Sequence, residues 1–169
     1  MSAYLLQWGL LTGNLPGADD GVGFAVLWAG YGIIAGIGSA ILGARVKQKP
    51  GKSAIGVRAE SAIWRGVGIG VGTVAIACIV RMFVDHDVHA PNYIMGPAFA
   101  MFGAALMATG MMSGQKWLTP FAVLAFVTAV AVGVFANAVW VYLLGAGASV
   151  LVLAIPGIAL LRREPSALV

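Results

Sequence analysis

The chain has 169 residues, 60% of them hydrophobic and only 9% charged, with a mean hydropathy of +0.94. A soluble domain carries about a quarter charged residues, and this much apolar surface does not fit one small aqueous core, so the solvent for most of the chain is lipid. The net charge of +4 sits beside apolar runs, where orientation signals belong, which argues against a nucleic-acid partner.

A hydrocarbon layer about 30 Å thick takes about 20 apolar residues in a helix. On that measure the fold class is an all-α integral membrane protein. We expect a bundle of five transmembrane helices in one domain over 21–169, preceded by a short interfacial N-terminal segment over 1–20. That segment has an apolar run through Trp8 and is broken at Gly13, Asn14, Pro16 and Gly17. It is too short to cross and lacks the early basic residues of a signal peptide. The expectation is a surface-lying or partly inserted piece anchored by Trp8.

The first span is expected over about 22–44. Gly32 and Gly36 are four residues apart in it, on one helix face, and form a packing surface either within the chain or between copies. The basic stretch RVKQKPGKSAIGVRAE follows, with a turn signal at Pro50-Gly51. It reads as a cytoplasmic loop, with attraction to anionic headgroups as the functional alternative.

The second span is expected over 62–84. Its GVGIGVG run at 66–72 has no following lysine and lies at membrane depth, which excludes a phosphate loop. Gly68 and Gly72 repeat the four-residue packing spacing. Cys78 is the single cysteine and cannot form an internal disulfide. Near the end of the span, Arg81 and Asp85 are four apart and form an expected interfacial ion pair.

Asp85, His86, Asp87 and His89 then concentrate ionisable groups between two apolar runs. On a helical continuation of the second span, Asp85, His86 and His89 would share one side. Imidazole and carboxylate there can hold a divalent metal such as zinc. The bland alternative is a solvated polar cap.

The third span is expected over 93–112, with Pro97 in its first turn, where proline costs least. Its methionines offer an adaptable packing surface. After SGQKW, the fourth span covers 118–136, opening at Pro120. The fifth covers 139–161 and is joined to the fourth near Asn137 so closely that the two form a tight antiparallel hairpin. Pro156-Gly157 should kink or loosen the fifth span near its inner end.

Placing the basic stretch inside puts the N-terminus and Asp85–His89 outside and the C-terminus inside. All Lys and Arg except Arg81 then lie on the cytoplasmic side, as in a multi-pass protein of the inner (plasma) membrane. No Asp, Glu or Lys occupies the middle of a span, as coupled transport usually requires, and no spans carry the histidine pair of a membrane haem.

The expected function is therefore non-catalytic: an accessory or structural subunit packing against itself or a larger membrane complex. One alternative is a homo-oligomeric transporter or channel for a small neutral or cationic species. Another is a metal-binding membrane protein using the outer Asp/His cluster.

Overall fold

The computed structural model describes residues 2–14, 30, 32–34, 37–38, 41, 55–86 and 90–163. Every regular element among them is helical, the secondary structure that satisfies its own backbone hydrogen bonds in lipid. Four helical stretches are long and apolar enough to cross a membrane: Arg58–Val84, Ala90–Ser113, Lys116–Val134 and Val141–Leu160. The expected first span at 22–44 falls largely outside the described residues.

Helix α1 is Ser2–Leu11. It closes where the Asn14 N–H donates to the Gly9 carbonyl at 2.9 Å and Gly13 takes a left-handed φ of 74°, a conformation that costs glycine nothing. Ten residues make about 15 Å of helix, half a span. Tyr4 and Trp8 pack against a core cluster of Met95, Phe99, Val132, Val141 and Tyr142, and Gln7 and Leu10 are buried. The described part of the segment expected at the interface, residues 2–14, thus packs on the bundle.

Helix α2 is Ile55–Val84, about 45 Å long. It begins seven residues before the span expected at 62. Charged residues such as Arg58 and Glu60 end a lipid-soluble run but do not end a helix, because long charged side chains are good helix formers. Only 6% of its most apolar stretch is fully buried, so α2 stands at the edge of the described helices.

A 3-10 turn at Ala90–Ile94 leads into α3, Met95–Ser113, the most buried of the four spans. Gly114 ends it at a left-handed φ of 69°, the usual glycine C-terminal stop. A second 3-10 turn, Lys116–Leu118, starts α4, Thr119–Val134, with Pro120 in its first turn. The most extensive interface joins α3 to α4.

Its seam is made by Gly96, Gly103 and Gly110, one every seventh residue. A Cβ at Gly103 would lie 3.1 Å from the Ala122 carbonyl oxygen and from the Phe126 ring, and one at Gly110 would lie 3.3 Å from the Gln115 carbonyl oxygen. A seven-residue spacing keeps one line of a helix against one neighbour.

The last span is not one continuous α-helix. It comprises α5, Val141–Ser149, a π-turn at Val150–Ala154 and α6, Ile155–Arg163. Proline lacks an N–H and its ring crowds the carbonyl four residues back, so Pro156 blocks regular α-helix over the preceding turn. The chain instead widens, and the Ile155 N–H donates to the Val150 carbonyl five residues back. Ser149 Oγ adds a back-bond to the Gly145 carbonyl at 2.7 Å, a contact that bends helices. The loosening of the span expected from Pro156-Gly157 is present as this widened turn. The helices α4 and α5 do pack together, but a turn over 135–140 separates them, and α4's broader partner is α3.

Two buried clusters fill the interior. One, at the Asp85 end, is built on Phe99, Val132, Val141 and Tyr142. The other, at the Lys116 end, is built on Leu106, Leu118, Ala122, Ala125 and Val152. Phe102 packs against both and meets Phe99 edge to face at 6.1 Å, a favoured aromatic geometry.

Candidate functional site

Helix α2 ends on its own ion pair. The Asp85 N–H donates to the Arg81 carbonyl at 2.9 Å. Arg81 Nε lies 3.6 Å from Asp85 Oδ2, with the two side chains 61% and 59% exposed. At that exposure an i,i+4 pair contributes only about 0.3–0.5 kcal/mol. Its effect is to fix the last turn rather than to stabilise the fold.

His86 then turns the chain at a φ of 54°. Histidine is among the residues enriched in this left-handed region. The helix ends at Val84, so Asp85 and His86 do not stand on the expected helical extension of the span. Asp87 and His89 lie outside the described residues. Among the described residues no three His, Cys, Asp or Glu side chains converge.

Beside this turn is a polar bridge between the spans. Tyr142, buried near the start of α5, donates its hydroxyl proton to Asn92 Oδ1. Asn92 Nδ2 donates in turn to Asn137 Oδ1 at 3.3 Å. The bridge ties the 3-10 turn before α3 to the turn after α4 and to α5. Partners 45 and 50 residues apart in sequence cannot be paired by local reading. The available signal was weak: a lone Asn after Pro91, another at 137, and a Tyr one turn into an apolar span.

At the Lys116 end, Trp64 Nε1 donates to the buried Thr109 Oγ1 at 3.3 Å. Trp117 Nε1 donates to Gln115 Oε1 at 2.8 Å. No side-chain nitrogen or oxygen is buried without a hydrogen-bond partner among the described residues, as a low-dielectric surrounding demands.

The four glycines expected as a packing interface are placed as follows. Gly32, Gly68 and Gly72 have no described atom within 4 Å of where a Cβ would stand, and Gly36 lies outside the described residues. The close approaches on α2 and α3 are instead at Gly70, where a Cβ would meet Met101 Sδ at 2.8 Å, and along the seam at 96, 103 and 110.

The spans, the satisfied polar groups and the apolar exterior define the class: a helical membrane protein. No family model, curated protein or solved structure matches the chain.

Proposed function

We propose that the chain is a non-catalytic packing subunit of a membrane assembly, in a five-span, N-out and C-in arrangement in the plasma (inner) membrane. The observation that carries this reading is α2. It is long enough to cross, yet among the described residues only 6% of its most apolar stretch is fully buried. Ile69 and Ile76, at 72% and 65% exposure, lie beside Gly68 and Gly72, where no described atom comes within 4 Å of a Cβ position. Smooth glycine surfaces next to branched side chains favour helix–helix contact in lipid, and the occupant proposed is a helix of a partner or a second copy.

A homo-oligomeric transporter or channel is the second reading. The interrupted last span favours it, since broken helices line pathways in many transporters and π-turns recur at functional sites.

Native mass measurement after gentle extraction separates these. A defined hetero-assembly supports the subunit reading, and a homo-oligomer that conducts solute in vesicles supports the second. A monomer alone overturns both. The same spectra test the metal reading. Retained divalent metal that disappears in a His86→Ala, His89→Ala variant supports it, and no change in mass rejects it.

A further inference from the structure

The side of α2 that points away from the other described helices carries a repeat of its own. Ala62, Ile69, Ile76 and Phe83 recur every seventh residue, and Arg65, Gly72 and Ile79 stand three residues after the first three of them. At about 100° per residue, all seven and Arg58 fall within about 100° of arc. This is the spacing of a seam that packs along one neighbouring helix. Ile63, Val67, Gly70 and Val74 are half-buried on the opposite side, where Gly70 approaches Met101 of α3.

The seam is uncovered among the described residues. Ile69, Ile76, Ile79 and Phe83 are exposed, and no described atom lies within 4 Å of a Cβ position at Gly72. From Arg65 to Phe83 it runs about 27 Å, close to the hydrocarbon thickness of about 30 Å. Arg65 therefore marks one boundary of a surface that spans the full depth.

Charge selects what can cover it. A cavity of about 450 Å³ opens between Arg58 and Arg65, floored by Ala59 and Ala62. Arg65 Nε donates to the Ser61 carbonyl at 3.1 Å, which leaves the other donors of the guanidinium for an acceptor. Among the described residues neither arginine has a carboxylate partner, and Glu60 is carried roughly 150° away around α2. A second copy in the same orientation would set each arginine of the seam against its own counterpart, and like charges facing across an interface oppose it. The chain's own first span offers no counter-charge. Residues 21–59 contain no Asp or Glu, and Arg45 and Lys47 follow that span. A helix bearing a carboxylate level with Arg65 is the occupant that fits, since a guanidinium can hold both carboxylate oxygens.

We propose that the seam binds a membrane-spanning helix of a different protein, with an Asp or Glu seated between Arg58 and Arg65 and its backbone close to Gly72. The proposal rests on the packing-subunit reading and names the chemistry of the partner.

The probe is a charge-swapped second copy of the full chain, Arg58→Glu with Arg65→Glu, which supplies carboxylates at the right depth on an otherwise identical seam. Every copy also carries Cys78→Ala and Ile76→Cys, and pairs are reconstituted in phosphatidylcholine vesicles and oxidised. The disulfide yield between a native-charge copy and a swapped copy should exceed that between two native-charge copies by at least about tenfold, as opposite charges replace like ones. A neutral copy, Arg58→Gln with Arg65→Gln, should pair with the native-charge copy at an intermediate yield, and carries the test if circular dichroism shows the swapped copy unfolded. Val74→Cys in place of Ile76→Cys should give no disulfide. Gly72→Leu in both copies should return the mixed yield to the native-charge level.

Equal yields in the mixed and native-charge pairs would mean that a second copy covers α2. The acidic partner then falls and the packing-subunit reading stands. A mixed yield that survives Gly72→Leu would mean bare charge attraction and overturn the seam. No disulfide in any pair overturns the proposal, and if an Ile37→Cys, Ile69→Cys chain then closes on itself, the first span covers α2 and the subunit reading falls as well.

Discussion

Glycine carries two different meanings at the residue scale in this chain. At Gly103 its absent side chain is what lets α3 and α4 meet. A Cβ there would stand 3.1 Å from the Ala122 carbonyl oxygen, and a carbonyl in a packed helix cannot retreat as a flexible side chain can. Gly103→Val adds three heavy atoms at this point, and overpacking of a close-packed interface costs about 1–3 kcal/mol. The gain in helix propensity, about half a kcal/mol, does not offset it.

Gly68 has open space at the same position among the described residues. Gly68→Leu should therefore leave the unfolding temperature of the isolated chain in detergent unchanged or slightly raised, while Gly103→Val lowers it. Equal destabilisation by both would show that Gly68 is already packed within one chain. This would remove the surface on which the subunit reading depends. The tyrosine–asparagine bridge is another matter of single residues. It satisfies a buried hydroxyl at a point where three segments meet, so its members act together rather than as separate contacts.

The π-turn belongs to the scale of the element. Three neighbours agree in producing it: the Ser149 back-bond to Gly145, the missing N–H of Pro156, and Val152, fully buried against the cluster of Leu106, Leu118, Ala122 and Ala125. If proline is the deciding one, Pro156→Ala restores a donor and lets Val150–Ala154 close into α-helix. Amide exchange over 150–154 should then slow by at least about tenfold, a change of roughly 1.4 kcal/mol in local opening. Exchange as fast as in the native chain would assign the break to packing around Val152 instead.

The elements also show what a sequence of this kind carries and what it hides. Four apolar runs were legible as spans because lipid imposes length and composition directly. The prolines at 97 and 120 marked helix starts for an equally local reason, the missing N–H of a first turn. The early start of α2 was hidden because hydropathy reports the lipid-facing run and not the helix that contains it. The α3–α4 seam was hidden because a four-residue glycine spacing is visible within one helix, whereas the choice of neighbour is a property of two. The turn at His86 was unreadable, since Asp-His-Asp favours neither continuation nor reversal.

For the whole molecule, the arrangement in the membrane links the helices to any function. The proposed N-out, C-in topology follows from charge: Arg58, Arg65, Lys116, Arg162 and Arg163 fall at one end of the four described spans, and only Arg81 with Asp85 at the other. Cytoplasmic retention acts on lysine and arginine near span ends, so five cations against one at these ends set a strong bias. Single cysteines in a Cys78→Ala background read the outcome. Asp85→Cys should react with an impermeant maleimide on intact cells, and Lys116→Cys should react only after the membrane is opened. The reverse pattern would place the basic ends outside, against the charge rule. Labelling of both from outside would mean that the chain is inserted in two orientations, and a dimer of opposed copies would become the simplest assembly to cover α2.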